Sequence, residues 1–164
     1  MEHRIATIED LPEIVRIYNT TIQSHVVTAD LEEVSAEDRI NWFIQHDPIN
    51  RPLWVFEHES HGAMVGWLSF QAFYGRKAYD KTVEVSIYLD PETRGRGYGA
   101  QILQFAIDVA PSYKIETMLG FIFAHNEPSI KLFERKGFQQ WGNLPDIAEL
   151  EGAKESLLIF GLKV

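Results

Sequence analysis

Between Glu84 and Ser129 the chain spaces a carboxylate, a run of glycines and arginines, an asparagine and a serine in a way that suits group transfer. In "TVEVSIYLD" the alternation is strictly two, with Val83, Val85, Ile87 and Leu89 on one side and Thr82, Glu84, Ser86 and Tyr88 on the other. The apolar side is core, so the polar side must meet solvent, a partner or a cleft. A plain surface strand would be rich in lysine and glutamate there, whereas this one carries a single carboxylate among three hydroxyls. The strand runs into "PETRGRGYGAQIL", where Arg94, Gly95, Arg96, Gly97, Tyr98 and Gly99 precede a helical pattern. Glycines permit close backbone approach, and a helix start presents N–H groups and the positive end of its dipole to an anion. The segment therefore reads as an anion cradle beside an isolated carboxylate.

Two familiar glycine loops fit it poorly. Gly95 to Ala100 satisfy a loose G-x-G-x-x-A, but a dinucleotide site needs the first turn of a βαβ unit and an acidic residue closing the next strand, which here runs out at Ala124-His125. A nucleoside triphosphate loop needs Gly-Lys-Ser/Thr, which is missing. A simple helix-capping turn explains one glycine and leaves the alternation of three unexplained. His58 and His61 in "HESH" lie at a hairpin end without an organised third ligand, so no metal site is expected. His125 stands beside Asn126 as either a substrate contact or a strand-end residue.

The elements that must hold these residues follow from periodicity and turn signals. A short strand leads to a helix near Thr7, with Asp10 in the capping-box position and Leu11, Ile14, Val15, Tyr18 and Ile22 on one face. A second helix is expected in "SAEDRINWFIQ", capped by Ser35, after an aperiodic connection "SHVVTADLEEV". "LWVFEHES" and "AMVGWLSFQAF" form a hairpin around "HGA", and "TVEVSIYLD" follows as a third strand. Ile102, Leu103, Ala106, Ile107 and Ala110 make the stripe of the helix after the glycines. "IETMLGFIFA" is a central strand, "PSIKLFERKGF" a short helix with Pro128 in its first turn and Gly137 as its stop, and "ESLLIFGLKV" a closing strand. The order gives an α+β fold with helices on both faces of a mixed sheet, in one domain spanning 1–164.

Composition narrows the function classes. The net charge of −9 argues against nucleic acid as the main partner, and the absence of cysteine removes disulfides, thiolate metal sites and a cysteine nucleophile. No long apolar run suggests a membrane span, and the N-terminal "MEHRIATIEDLPEI" lacks the pattern of a secretory signal, so a cytoplasmic location is expected.

Arg94-Gly95-Arg96-Gly97-Tyr98-Gly99 resembles the Arg/Gln-x-x-Gly-x-Gly/Ala signature of the GCN5-related N-acetyltransferases (GNAT), and "HNEPSIKLFERKGF" resembles their second motif at the right distance from the first. "YNTTIQSHVVTAD" and "FYGRKAYDKTVEVSIYLDPETRGRGYG" are similar to the phosphinothricin acetyltransferase branch. The resemblance implies a mostly antiparallel central sheet flanked by helices, acetyl-CoA as cosubstrate and no metal. It further implies a homodimer with the "SHVVTAD" loop close to the site. In the family the loop and helix start hold the coenzyme pyrophosphate, which assigns that role to Arg94 through Gly99. Asn126 would reach the pantetheine or thioester region, and Ser129 would sit at a helix start near the coenzyme.

Acetyl transfer to an amine needs the neutral nitrogen, and Glu84 is placed to take its proton directly or through water. The other reading makes Glu84 an electrostatic partner of the substrate ammonium. A backbone N–H near Ile87, Tyr88 or Leu89 is the expected donor to the thioester oxygen as it becomes negative. Many family members carry a tyrosine where this chain has Phe133, which leaves water, Tyr88 or direct thiolate release for the leaving group. The loop "FYGRKAYDK" supplies Gly75 and Arg76, and the resemblance together with the fork geometry of guanidinium points to Arg76 as the clamp on a substrate carboxylate, walled by Tyr74 and Tyr79. The expected substrate is a small amino acid or analogue of the phosphinothricin or methionine sulfoximine type. A non-catalytic acetyl-CoA sensor and a protein or peptide amine acetyltransferase are the competing classes.

Overall fold

The computed structural model describes residues 1–164. Its strands and helices follow in the order β1 (Glu2–Ile5), α1 (Leu11–Asn19), α2 (Ile40–Ile44), β2 (Leu53–Glu57), β3 (Met64–Ala72), β4 (Thr82–Leu89), α3 (Tyr98–Val109), β5 (Thr117–Phe123), α4 (Glu127–Arg135), β6 (Gln139–Leu150) and β7 (Ala153–Lys163). All seven strands join one sheet in the order β1-β2-β3-β4-β5-β7-β6, in which only β4 and β5 run parallel. No helix is long and apolar enough to cross a membrane.

Alternation along the strands divides the apolar residues between two layers. Leu53 and Val55 pack with Ile14 and Ile17 of α1, while Trp54 and Phe56 turn to the other face and join Ile102, Leu103 and Ala106 of α3. Val83 and Val85 are fully buried in the α3 layer, as the period of β4 requires. The helices thus lie on both faces of the sheet, and β4 contributes its polar side to the face that α1 covers.

Local signals explain the ends of the elements. The Thr7–Asp10 capping box forms, with the Asp10 carboxylate accepting the Thr7 N–H at 2.7 Å, but the first turn is 3-10 and the α-helix proper begins at Leu11 ahead of Pro12. Asn126 caps α4 by accepting the Ser129 N–H at 3.2 Å, Pro128 lies in the first turn, and Gly137 leaves the helix at φ 89°. The second helix is shorter than expected. Ser35 and Asp38 cap each other, with Ser35 Oγ accepting from Asp38 N at 3.1 Å, yet they close a turn rather than a helix, which starts only at Ile40. Its residues are tied instead to loop neighbours, including Arg39 to Asp30 at 2.7 Å.

Candidate active site

The seam between β4 and β5 organises the site. Their register is Thr82–Thr117, Val83–Met118 and Glu84–Leu119, and the two strands part beyond that point. From Val85 to Leu89 the β5-facing edge of β4 has no strand partner, so its backbone groups are open to something else. The gap is a cleft of about 500 Å³, walled by Val85 to Leu89 on one side and Gly120 to Ile122 on the other.

The glycine turn closes one end of this cleft. Arg94, Gly95 and Gly99 line it, while Gly97 is the N-cap of α3 at φ 82°. A Cβ placed on Gly95 or Gly97 would meet nothing within 4 Å. Protein packing therefore does not require glycine at these two positions. The left-handed backbone does, and the turn stays open to a ligand at the start of α3. Arg94 donates to the Leu89 carbonyl at 3.3 Å and to Thr20 Oγ1 at 3.4 Å, which ties the turn to the end of β4. Of the residues expected at the coenzyme, Ile87, Tyr88, Leu89, Arg94, Gly95, Gly99, Asn126 and Ser129 line the cleft. Arg96 and Gly97 lie exposed on the turn, and Tyr98 packs against the core. Ser24, Val26 and Val27 bring the "SHVVTAD" segment to the opposite wall.

Glu84 opens onto a second, smaller space of about 170 Å³ on the α1 face of the sheet. Its floor is three cross-strand pairs on one side of β3 and β4, Trp67 with Tyr88, Ser69 with Ser86, and Gln71 with Glu84. Its roof is Ile14, Val15 and Tyr18 of α1, with Arg39 and Trp42. Ser86 and Tyr88 line both spaces, so the chamber and the cleft adjoin across β4. No group of the chain bonds the Glu84 carboxylate, and burial raises its pKa above the ordinary value of 4.5. Tyr88 stacks on Trp67 with ring centroids 4.4 Å apart, and burial first, then the charges of Tyr18 and Glu84, raise its phenol far above its usual range.

The loop before β4 lies elsewhere. Tyr74 is 78% exposed in a left-handed conformation, Gly75 follows at φ 58°, and Arg76 and Tyr79 are exposed around a 3-10 turn. Tyr74 and Tyr79 pack on Phe73, whose ring faces Phe121 at 6.5 Å, so the loop rims the cleft from outside. None of Tyr74, Gly75, Arg76 and Tyr79 lines the cleft or the Glu84 chamber. The two consecutive positive φ angles carry the chain outward before β4 begins, and the clamp expected at Arg76 is not brought to Glu84. His125 is a loop tether, bonding the His25 carbonyl through Nε2 at 2.9 Å and Glu155 through Nδ1 at 2.7 Å.

Sequence reasoning missed the β3 and roof residues of the chamber. Ser69 and Gln71 are polar residues two apart in the otherwise apolar run "MVGWLSFQA", and their alternation with Leu68 and Phe70 was a usable signal. Arg39 and Trp42 fell in the expected second helix, whose pattern carried no signal that its residues would roof the chamber.

A glycine turn at a helix start, parted strands and an unpartnered carboxylate on one of them are an arrangement suited to group transfer. The chain belongs to the acetyltransferase (GNAT) family, whose model matches residues 12–138, and it is an N-acetyltransferase. It is 50% identical over 161 residues to YwnH of Bacillus subtilis, provisionally named a phosphinothricin acetyltransferase, with 98% of each chain covered. It is 30% identical over 149 residues to an L-methionine sulfoximine/L-methionine sulfone acetyltransferase of Pseudomonas aeruginosa, covering 91% of this chain and 86% of that one. Among solved structures it is similar to the phosphinothricin acetyltransferase of Sinorhizobium meliloti in complex with acetyl-CoA, with a TM-score of 0.92 and 27% identity over 99% of this chain and 88% of the other.

Proposed function

We propose that the protein transfers the acetyl group of acetyl-CoA to the amine of a small amino acid or amino-acid analogue, by direct attack while both substrates are bound. The observation that carries this reading is Glu84, a carboxylate without a partner, in a small chamber that shares Ser86 and Tyr88 with the cleft between β4 and β5. The chamber is small, about 170 Å³. That suits a small amine better than a peptide. The relatives named for phosphinothricin and methionine sulfoximine favour the same class.

The cleft fits the coenzyme by its shape and by its donors. The turn from Arg94 to Gly99 would hold the pyrophosphate on backbone N–H groups, and the unpaired edge of β4 would take the extended arm in the manner of an added strand. Asn126 and Ser129, at the cleft side of α4, would flank that arm.

The chemistry then divides among few groups. Glu84 accepts a proton from the substrate ammonium, which frees the lone pair, and the nitrogen attacks the thioester carbonyl. N–H groups of the open β4 edge at Ile87 to Leu89 receive the developing oxyanion. Collapse breaks the C–S bond, and the thiolate takes the second proton of the attacking nitrogen, so amide and free thiol form with no net proton deficit. Phe133 lines the cleft where a phenol would be the usual donor. Tyr88 is a poor substitute, because a phenol raised so far loses its proton uphill to a thiolate with an ordinary pKa of about 8.5.

The test is thiol release from acetyl-CoA with methionine sulfoximine, methionine sulfone, phosphinothricin, simple alkylamines and a peptide amine. Transfer to the amino-acid analogues well above the others supports the reading. Preference for the peptide, or binding of acetyl-CoA without transfer to any amine, overturns it.

A further inference from the structure

The segment after α1 is fastened by side chains. From Val26 to Val34 no backbone N–H or carbonyl bonds another backbone group, so the segment is a strap whose position depends on a few anchors. At its far end the Asn19 side chain donates to the Val34 carbonyl at 2.9 Å and accepts the Val34 N–H at 3.1 Å. In its middle Tyr18 meets Thr28 Oγ1 at 2.5 Å and donates to Asp30. Tyr18 and Asn19 both belong to α1, which packs on β2 and β3. The near end is tied to the other side of the cleft. There the His25 carbonyl accepts from Nε2 of His125 at 2.9 Å, and His125 stands between the end of β5 and the start of α4. The bond therefore crosses the parted strands, and it lands beside Ser24, Val26 and Val27, the residues of the strap that wall the cleft.

The imidazole is itself held for this contact. It stacks on Phe123 of β5 with ring centroids 5.7 Å apart, and its Nδ1 meets the Glu155 carboxylate of β7 at 2.7 Å. Both partners are acceptors, so each ring nitrogen brings a hydrogen to its bond. The His125 and Glu155 side chains are only a third and a quarter exposed, which shields the pair more than a surface pair. Glu151, in the turn between β6 and β7, lies 3.3 Å from Nε2 of His25, but it is three-quarters exposed and adds little. The His125 bond is thus the main tie between the strap and the β5 side.

We propose that His125 is a positioning residue for the coenzyme, which through the His25 carbonyl keeps Ser24, Val26 and Val27 in place as a preformed wall of the cleft, while Glu155 acts by holding the imidazole. This rests on the cleft being the coenzyme site proposed above. With the pin in place the wall is ordered before the coenzyme arrives. Without it the coenzyme must order the wall as it binds, and its apparent affinity falls with the fraction of molecules in which the wall stands closed.

The experiment compares the wild type with His125→Ala, His125→Gln, Glu155→Ala and the double variant His125→Ala/Glu155→Ala. Titration calorimetry with coenzyme A and the KM for acetyl-CoA with methionine sulfone read the wall, and thermolysin nicking at Val26–Val27, mapped by mass spectrometry, reads the strap. His125→Ala is expected to weaken coenzyme A binding about 3- to 30-fold and to raise the KM for acetyl-CoA alike, with kcat at saturating acetyl-CoA within about 3-fold. The free variant should be nicked faster than the free wild type by a similar factor. His125→Gln keeps an N–H donor for the His25 carbonyl and should recover part of the affinity. The double variant should bind no worse than His125→Ala alone, because Glu155 acts through the ring. The proposal is overturned if His125→Ala binds coenzyme A as tightly as the wild type, whatever its Tm, if its nicking rate is unchanged, or if the losses of the two single variants add. Should His125→Ala fail to fold, His125→Gln decides by the same readings. A wild type that binds coenzyme A but releases no thiol with any amine removes the enzymatic reading alone, and calorimetry still decides the pin. A wild type that binds no coenzyme A removes both.

Discussion

The Phe133 ring packs against Gly120, so closely that a Cβ at position 120 would overlap it. The contact joins α4 to β5 on the wall of the cleft between β4 and β5, since both residues line it. Gly120→Ala should push Phe133 into the cleft. We expect a stability loss of about 1 to 3 kcal/mol from overpacking, together with weaker acetyl-CoA binding. Thermal melts and titration calorimetry read the two effects, and the double variant with Phe133→Leu should restore much of both.

Replacing the proposed base should separate turnover from binding. Glu84→Gln is expected to lower kcat by about 10²- to 10⁴-fold while leaving acetyl-CoA affinity within a few-fold. Near-normal turnover in the variant at neutral pH would remove Glu84 from the mechanism.

The same residue should leave a mark on stability with the opposite sign. Burial raises the Glu84 pKa, so between the unfolded value near 4.5 and the raised folded value the native state binds more protons, and its stability falls as pH rises. Glu84→Gln should therefore melt higher than the wild type above that window, and the gain should vanish below it. Melting curves at pH 4 and pH 8 check this, and a variant less stable than the wild type at pH 8 would contradict it.

Gly97 tests the anion cradle. At φ 82°, with open space around a built Cβ, Gly97→Ala should cost the free protein only about 1 kcal/mol in backbone strain. Acetyl-CoA affinity should fall more than about 10-fold, because the shifted turn misaims its N–H groups. Calorimetry with acetyl-CoA and with coenzyme A lacking the acetyl group should give equal losses, since the contact is to the phosphates.

Asp90 anchors the start of the glycine segment to α1. Burial would raise its carboxyl, but hydrogen bonds from Arg16 and from the Glu92 N–H at 2.9 Å hold it below the ordinary value of 3.8. Its contribution is present above that value and is lost as pH falls through the depressed folded one. Asp90→Ala should cost about 1 to 2 kcal/mol at pH 7, at the low end for a charged hydrogen bond because Arg16 is half exposed. The deficit against the wild type should narrow at acid pH.

What the sequence disclosed about this fold was whatever a local period or a fixed spacing could carry. The polar side of β4, the capping box at Thr7 and Asp10, the stop at Gly137 and the glycine turn all follow from residues within a few positions of one another. The parallel seam of β4 and β5 was not legible, since nothing local says that two strands pair for three residues and then part. Arg39 was not legible either. It reaches the chamber because Asp30, Tyr18 and Thr28 hold its loop over α1, a network that spans an aperiodic segment. Arg76 shows where local position stops being informative. Its position just before β4 suggested proximity to Glu84, but Tyr74 and Gly75 at positive φ carry that loop to the rim of the cleft.

The parting of β4 from β5 makes the sheet a pair of plates joined along a short weld. Strands β1 to β4 form one plate and β5, β7 and β6 the other, and only the pairs from Thr82–Thr117 to Glu84–Leu119 stitch them by strand pairing. Mechanically that weld is the weak line of the molecule. A force applied across the sheet should open it there first, and those amides between Val85 and Leu89 that point toward β5 should exchange with solvent hydrogen well before the paired amides of β2 and β3. A ligand lying in the gap would act as a rivet between the plates, so substrate binding and the rigidity of the whole fold are tied to the same few ångströms of unpaired backbone.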